Sequence, residues 1–266
     1  MQMKIAVCLK YGLDVDEIKI DQETGALRLA NVPRKFGDYD YNALTEAARL
    51  GREEGNQVTI LVFGPAAARQ GLKEAMAMGA DQAIVLEDPL EGAGGTQVSV
   101  EVIARAVEKL GGMDLILCGE ASIDGASYQF VPRLAERLRF AHVSSACALR
   151  IEGDSISVDR NLTDRSETLR ASLPAVVSVN DEINKPTKPT LMQVLKAKDK
   201  PIEVWSLDAD LGVGVEELQA NLPSKRTSLR GIQVERKQQM LKGLEPKAAA
   251  EQLMALLEQE GALRHD

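Results

Sequence analysis

The stretch DLILCGEASIDGASYQ, residues 114–129, carries the pattern that decides the fold. An apolar run from Leu115 to Gly119 has the length of a buried strand, and a polar loop of small residues follows it. A helical pattern then extends over residues 127–138. A strand that continues through such a loop into a helix is typical of a β–α unit, so the segment predicts a parallel sheet.

The same unit recurs through the N-terminal half of the chain. Strand-like apolar runs occur at KIAVCLK (4–10), VTILVFG (58–64), AIVLE (83–87) and LILCG (115–119). Helical spacing of apolar residues occurs between them and after them, at 40–51, 66–78, 97–110 and 127–138. Near-continuous apolar runs fit strands that are buried on both faces. The pattern predicts an α/β fold with a Rossmann-like, doubly wound, mainly parallel sheet.

The pattern changes after about residue 145. Short strands joined by polar turns are predicted at 147–153, 155–160, 166–172 and 175–180, with a hairpin turn at EGDS (152–155). The simplest interpretation is an antiparallel piece appended to the parallel sheet. A Pro- and Lys-rich loop (181–190) and a short helix (191–198) follow.

The C-terminal part from about residue 206 is predicted to be an extended arm that ends in a helix over 246–260. Pro246 suits the first turn of that helix, and its apolar stripe consists of Ala249, Leu253, Leu256 and Leu257. We therefore divide the chain into an α/β domain (1–205) and an arm (206–266). The arm could pack on its own domain or on a partner chain, and the sequence leaves both open.

Composition excludes several classes of protein. The 266 residues carry a net charge of −8, and a nucleic-acid-binding protein would need a basic face. The three cysteines (Cys8, Cys118 and Cys147) are far apart, which argues against a disulfide framework or a zinc site. With only His142 and His265, a histidine triad or metal site is not expected. No signal peptide or long apolar span is visible, so we expect a cytoplasmic protein without membrane insertion.

The loop after Gly119 is a candidate ligand site. Ligands of parallel sheets bind outside the carboxyl ends of the strands, and the free N–H groups of a following helix favour an anion such as phosphate. Gly119 and Gly125 let the backbone come close, and Asp124 suits a ribose hydroxyl or a backbone amide. Hydrogen-bond donors are available from Ser122, Ser127 and Gln129. The alternative is an ordinary loop with Ser127 as N-cap, since neither a P-loop nor GxGxxG is present.

Other segments are predicted to reach the same edge. They are Cys8–Lys10, Gly37–Asp40 and Phe63–Pro65. Together with the loop they would line a crevice of nucleotide size. No nucleophile–base pair or carboxylate dyad stands out there, which indicates a bound cofactor without covalent chemistry by the protein.

Five stretches resemble one known family, the β (small) subunit of electron-transfer flavoproteins. They are KIAVCLK (4–10), GALRLANVPRKFGDYDYNALTEAARL (25–50), VTILVFGPAAARQGLKEAMAMGAD (58–81), DLILCGEASIDGASYQ (114–129) and SLPAVVSVNDEINKPTKPTLMQVLKAK (172–198). The last is the most specific, because it looks like the family's signature segment.

The resemblance implies an adenine nucleotide α-hydrolase-like fold and a heterodimer with a larger α subunit that carries the redox-active FAD. The β subunit of most members buries a structural AMP. In electron-bifurcating members a second FAD takes that place and oxidises NADH. The nucleotide-contacting positions carry over to Cys8, Gly37, Asp38, Tyr39, Asp40, Phe63, Gly119, Glu120, Ala121, Ser122, Ile123, Asp124, Gly125, Ala126, Ser127, Tyr128, Gln129 and Phe130.

The loop 181–190 and the helix after it resemble the family's partner-recognition segment. Leu191 corresponds to the leucine that enters a hydrophobic pocket of acyl-CoA dehydrogenases, with Lys196, Lys198 and Lys200 beside it. One apolar anchor with steering lysines is a reasonable recognition device. Without the resemblance, a surface leucine on a solvated helix would be the default interpretation.

The sequence also departs from the family pattern. Gly37-Asp38 stands where Asn-Pro is common, Thr187-Lys188 replaces a basic–aromatic pair, and SYQFVP (127–132) lacks the Thr-Gly of many AMP-binding members. The stretches EIKIDQETGAL (17–27), DYDYNAL (38–44) and IDG (123–125) lean toward the bifurcating branch, although Ala126 and Ser127 replace the Asp and Thr that often follow IDG. AMP and a second FAD both stay open, and we expect AMP.

Three functions remain in view. The first is an electron-transfer flavoprotein β subunit, an electron carrier rather than an enzyme by itself. The second is its bifurcating variant with a β-bound FAD. The third is a stand-alone regulatory protein that binds adenine nucleotides. Fold analogy does not separate them, but the segment 172–198 favours the first.

Overall fold

A computed structural model describes residues 2–21, 23–90, 94–220, 228–232 and 237–263. Its strands are β1 (Lys4–Leu9), β2 (Gly12–Leu13), β3 (Lys19–Ile20), β4 (Leu27–Arg28), β5 (Arg34–Lys35), β6 (Gln57–Gly64), β7 (Gln82–Glu87), β8 (Leu115–Gly119), β9 (Ala141–Glu152), β10 (Ser155–Asn161), β11 (Ser166–Ser172), β12 (Ala175–Val179) and β13 (Ile202–Trp205). Its α-helices are α1 (Asp38–Glu54), α2 (Ala68–Met78), α3 (Gly95–Lys109), α4 (Phe130–Leu138), α5 (Leu191–Lys196), α6 (Leu207–Leu211), α7 (Val215–Ala220) and α8 (Pro246–Gln259).

One nine-stranded sheet organises the domain, in the order β11-β10-β9-β12-β8-β1-β6-β7-β13. Every neighbouring pair from β9 to β13 is parallel, whereas β10 and β11 are antiparallel at one edge. The short strands β2 with β5 and β3 with β4 form two small antiparallel pairs beside it. The predicted Rossmann-like, doubly wound α/β fold is confirmed.

The strand order reverses between β1 and β8. From β1 the chain moves through α1 to β6 and through α2 to β7, and α3 then returns it to β8 on the other side of β1. Cys8 of β1 and Cys118 of β8 are register partners at this point. The loops that leave the two carboxyl ends diverge, and such a switch point opens a crevice where ligands bind.

The sheet separates two hydrophobic cores. Alternate residues of β1 enter opposite sides, since Ile5 and Val7 pack with α1 and α2 while Ala6 and Cys8 pack with α3 and α4. This two-sided burial explains why the central strands lack a polar alternation. The predicted apolar face of α1, which includes Leu44, is buried against the sheet.

One part of the antiparallel prediction is wrong. Strands β9 to β11 do form antiparallel hairpins, and the turn at 152–155 is confirmed. Strand β12, however, runs parallel between β8 and β9. All five of its residues are buried, whereas β11 alternates between partly buried and exposed positions. Continuous burial suits a strand inside the sheet, and the apolar run AVVSV was the signal for it.

Two element boundaries also differ from the sequence prediction. Strand β9 begins at Ala141, six residues before the predicted start, and an irregularity at Ser145 (φ 58°) shifts its register against β12. Helix α4 begins at Phe130 rather than at residue 127. The polar loop after β8 therefore extends over residues 120–129.

The C-terminal part is not extended from residue 206 as expected. Helices α6 and α7 follow β13, and Leu207, Val213 and Leu218 are buried in the core on the α3 side. The Lys109 ammonium lies 4.3 Å from the centre of the Trp205 ring, which adds a contact at this junction. Helix α8 has no buried residue. The division of the chain at residue 205 stays a prediction.

Candidate functional site

The candidate crevice lies at the carboxyl ends of β1 and β8, where the predicted segments Cys8–Lys10 and Gly37–Asp40 meet the loop after Gly119. Cys8 of β1 is the register partner of Leu61 on one side and Cys118 on the other. Contact with the Cys8 thiol, together with burial, raises the pKa of Cys118. These thiols are therefore part of the packed floor of the crevice rather than nucleophiles.

The first turn of α1 lies directly against the end of β8. A Cβ placed on Gly119 would come within 2.8 Å of the Cβ and the carbonyl carbon of Tyr39. Only glycine fits this approach without a backbone shift. The predicted segments Gly37–Asp40 and Gly119 are thus brought together. Burial raises the pKa of the Tyr39 hydroxyl, and the neighbouring carboxylates of Asp181 and Glu120 add to the rise.

Asp40 is the buried carboxyl group of the site. The Gly37 N–H donates to its Oδ2 at 2.9 Å. Burial raises the pKa of Asp40 to about 7, although the backbone N–H groups of Gly37 and Lys10 favour the charged form and oppose the rise. Asp40 thereby joins the end of β1 to the start of α1 with a carboxyl group that titrates near neutrality.

The loop 120–129 folds back over the end of β1. Lys10 Nζ and Asp124 Oδ1 form an ion pair at 2.7 Å. A Cβ on Gly12 would lie 2.9 Å from the Asp124 carboxyl group, so the backbone after β1 passes close to this ion pair. Asp124, expected at a ribose hydroxyl or a backbone amide, is therefore ion-paired with Lys10, which the sequence placed at the same edge without assigning it a role.

The second half of the loop has an unusual backbone. Ala126 (φ 41°) and Tyr128 (φ 55°) are in the left-handed region, which non-glycine residues seldom adopt. The Ala126 N–H donates to the Ser122 carbonyl at 3.1 Å and closes a turn. Strain of this kind is concentrated at ligand-binding loops. Tyr128 is 57% exposed as a result.

Two helix starts meet at Ser127. Its Oγ accepts from the Gln129 N–H at 3.4 Å and lies 3.3 Å from Thr96 Oγ1, in the first turn of α3. Gln129 is the N-cap of α4, so Ser127 is not the N-cap. Within the described residues, no side chain caps the start of α3 or α4. Helix N-termini without caps present free N–H groups and a positive dipole end, which suit an anion.

The remaining predicted positions have different surroundings. Phe63 and Phe130 are partly buried against the core that contains α3 and α4. Glu120 is fixed at the start of the loop, since its N–H donates to the Val179 carbonyl and its Oε1 accepts from Ser145 Oγ at 2.6 Å. Ile123 packs beside Gly37. The structure gives Ala121 no contact that assigns it a role. Thr96 was missed, because nothing in the sequence places α3 beside this loop.

The predicted partner segment has an exposed apolar face. Leu191 is 74% exposed, and Met192, Val194 and Leu195 on the same short helix are exposed as well. Lys196 and Lys198 stand exposed at its end. Lys200 differs, because its ammonium donates to the carbonyls of Ala80 (2.6 Å) and Met76 (3.4 Å) at the end of α2.

The loop before this helix is fixed to α1. Asn42, only 2% exposed, donates through Nδ2 to the Asn184 carbonyl (3.0 Å) and to its Oδ1 (3.1 Å). Asn184 Nδ2 donates in return to the Asn42 carbonyl at 3.0 Å. Because α1 also begins at the crevice, one rigid helix contacts both candidate sites.

Two further features are absent from the described ranges. Those residues contain no group of three or more His, Cys, Asp and Glu side chains placed to hold a metal ion. Every helix among them is too short or too polar to cross a lipid bilayer.

Comparison with known proteins agrees with this architecture. A sequence model described as "Electron transfer flavoprotein domain" matches residues 24–210. The chain is 35% identical over 208 residues to the electron transfer flavoprotein subunit beta of Thermoanaerobacterium thermosaccharolyticum, which covers 78% of this chain and 79% of that protein. It is 32% identical over 237 residues to the same subunit of Megasphaera elsdenii, covering 86% and 87%.

A third relative is the caffeyl-CoA reductase-Etf complex subunit CarD of Acetobacterium woodii. The identity is 33% over 216 residues, which cover 80% of this chain and 82% of that protein. The residues matched by the family model, 24–210, include the loop after β8 and the exposed helix α5. The chain therefore belongs to the family of electron transfer flavoprotein β subunits.

Proposed function

We propose that this chain forms a heterodimer with an electron transfer flavoprotein α subunit and carries electrons between acyl-CoA dehydrogenase-type flavoenzymes and other redox partners. FAD, held mainly by the α subunit, supplies the redox chemistry by accepting and delivering electrons. This chain contributes the scaffold and the docking surface, so it is an electron carrier rather than an enzyme by itself. Family membership supports this role.

The C-terminal arm is the proposed contact with the α subunit. Helix α8 has no buried residue, and Leu253 and Met254 on it are each 48% exposed. Met240 and Leu244, which precede the helix, are exposed too. Apolar side chains spread along one segment are typical of a surface that a partner chain covers.

The crevice is proposed to hold the phosphate of an adenine nucleotide. The observation that carries this proposal is the meeting of the uncapped starts of α3 and α4 at the Thr96–Ser127 contact. Two hydroxyl groups and two sets of free N–H groups there are the donors that a phosphate accepts from. A Cβ on Gly125 would lie 3.0 Å from Ser122 Oγ, so the loop backbone passes close to this hydroxyl beside the donors.

The other predicted positions suit the rest of the nucleotide. Phe63 and Phe130 offer apolar surface for a base, and Asp124 offers carboxylate oxygens to ribose hydroxyls beside Lys10. Asp40 has a different function, since it is buried and its Oδ2 already accepts the Gly37 N–H. It fixes the crevice wall and is not free for the ligand.

The experiment is to co-express this chain with its α subunit, denature the purified heterodimer and count the FAD and AMP released. One FAD and one AMP per heterodimer are expected. A complex without flavin would overturn the electron-carrier function. A soluble monomer that binds ATP or AMP reversibly without an α subunit would instead indicate a stand-alone regulatory protein.

The second candidate is an electron-bifurcating β subunit whose crevice holds a second FAD. The match to a named component of a caffeyl-CoA reductase-Etf complex favours it, as does the IDG sequence at 123–125. FAD contains the same adenosine phosphate unit, so the same donors would hold it. Two FAD, no AMP and flavin reduction by NADH would establish this candidate.

A further inference from the structure

A second cavity lies between α1, the end of α2 and the partner segment. It measures about 260 Å³ and is separate from the nucleotide crevice. Its lining residues are Thr45, Ala48, Arg52, Met78, Thr187, Lys188, Pro189 and Gln193. Gln193 belongs to α5, the helix that exposes Leu191, so the cavity opens beside the proposed docking surface.

Both cations and one threonine hydroxyl of this cavity lack partners within the described part of the chain, whereas Gln193 is hydrogen-bonded to Thr190. Arg52 and Lys188 have no ion pair or hydrogen bond there, although both are cationic. Thr45 Oγ1 is fully buried and is the one buried side-chain oxygen or nitrogen among the described residues without a hydrogen-bond partner. A buried hydroxyl without a partner is costly, so it marks a place where an acceptor is missing.

The walls of the cavity are held in place from several directions. The Asn42–Asn184 hydrogen bonds fix the beginning of the loop, and Thr190 with Gln193 forms a capping box that fixes its end. Helices α1 and α2 are close at the cavity floor, where a Cβ on Gly79 would be 2.7 Å from the Ala48 Cβ. A cavity with fixed walls loses little entropy when it is filled.

We propose that this cavity receives an acidic side chain of the dehydrogenase that docks on Leu191. A carboxylate accepts from Arg52, Lys188 and a threonine hydroxyl, and these are the donors that lack partners. The cavity is smaller than most sites for whole ligands, so a single side chain fits it better. A partner surface that covers Leu191 would lie across the opening, because α5 belongs to both. The inference rests on the proposed docking function.

The test compares docking of a purified butyryl-CoA dehydrogenase to the α/β heterodimer. The readout is the KM for the heterodimer and kcat when the dehydrogenase, reduced by butyryl-CoA, reduces the heterodimer's flavin. We expect the Arg52→Gln/Lys188→Gln double variant to raise KM about tenfold at unchanged kcat. Charge pairs that become buried when the dehydrogenase docks slow its dissociation, and the variant would lose them. Thr45→Val, which keeps the side-chain shape and removes the hydroxyl, should raise KM about threefold.

The matched control is Lys185→Gln, which removes a charge from the same loop outside the cavity. Lys185→Gln should change KM less than the cavity variants do. Its effect should vanish at high salt, because Lys185 contributes only to the long-range attraction of the dehydrogenase. If Arg52→Gln/Lys188→Gln behaves no differently from Lys185→Gln while Leu191→Ala still raises KM, the cavity inference is overturned and docking stands. If Leu191→Ala has no effect either, the docking function itself fails.

Discussion

Replacement of Asp40 by Asn tests the electrostatics of the crevice wall. Asp40 is fully buried and has a pKa raised from 3.8 to about 7 by desolvation. A carboxyl group with a raised pKa in the folded state binds its proton more tightly there than in the unfolded chain. Its contribution to stability is therefore complete below about pH 4 and is lost as the pH rises through 7.

The size of the effect follows from the shift in pKa. Between pH 5 and pH 7 the folded state keeps most of the Asp40 proton while the unfolded state has released it. Each pH unit then changes the free energy of unfolding by about 1.4 kcal/mol, and roughly 2 kcal/mol is lost between pH 5 and pH 7. Asp40→Asn cannot ionise, so this part of the pH dependence should disappear.

The assay is urea denaturation of the α/β heterodimer, followed by circular dichroism at one protein concentration between pH 5 and pH 8. The stability of Asp40→Asn relative to the wild type should rise by about 2 kcal/mol from pH 5 to pH 7. Asp38→Asn is the control, because Asp38 is exposed on the same turn of α1. If Asp40→Asn and the wild type give parallel pH profiles, Asp40 does not titrate near neutrality and the reasoning is refuted.

Three other variants test separate contacts. Gly119→Ala should lower the free energy of unfolding by about 1–3 kcal/mol and cause loss of the bound nucleotide, because the new Cβ would clash with Tyr39. An unchanged Tm and nucleotide content would contradict this. A double-mutant cycle of Lys10→Met and Asp124→Asn should give a coupling free energy of unfolding of about 0.5–1 kcal/mol, since the Lys10 side chain is half exposed. A coupling free energy of zero would show that the ion pair does not stabilise the fold. Lys200→Met should cost about 1 kcal/mol in urea denaturation and leave dehydrogenase docking intact; weaker docking at unchanged stability would make Lys200 a docking residue instead.

Local patterns were sufficient for the β–α part of the fold. The alternation of apolar runs and helical stripes marks each unit, because a strand buried on both faces and an amphipathic helix have different periods. Strand β12 shows where local evidence ends. Its burial indicates an interior position, but its neighbours β8 and β9 are chosen by the packing of the whole sheet.

The candidate site could also be predicted only in part from the sequence. The loop 119–129 could be selected from sequence because the end of a parallel strand is a place where ligands bind. The contacts that shape the site could not be. Lys10 and Asp124 are 114 residues apart, and Asn42 and Asn184 are 142 apart. The sequence around each of these residues does not identify the side chain that it contacts. The burial of Asp40 likewise arises only when α1 packs against the sheet.

The most direct test of the central claim is the nucleotide content of a Ser127→Asp heterodimer. A carboxylate at this helix start interacts favourably with the helix dipole, so the fold should persist. The same carboxylate would repel a phosphate bound there. Ser166→Asp, on the exposed edge strand β11, is the control. We expect the wild type and the control to release an adenine nucleotide beyond the FAD of the α subunit, and Ser127→Asp to release that FAD alone. A wild type without the additional nucleotide, or a Ser127→Asp heterodimer that retains it, would contradict the account.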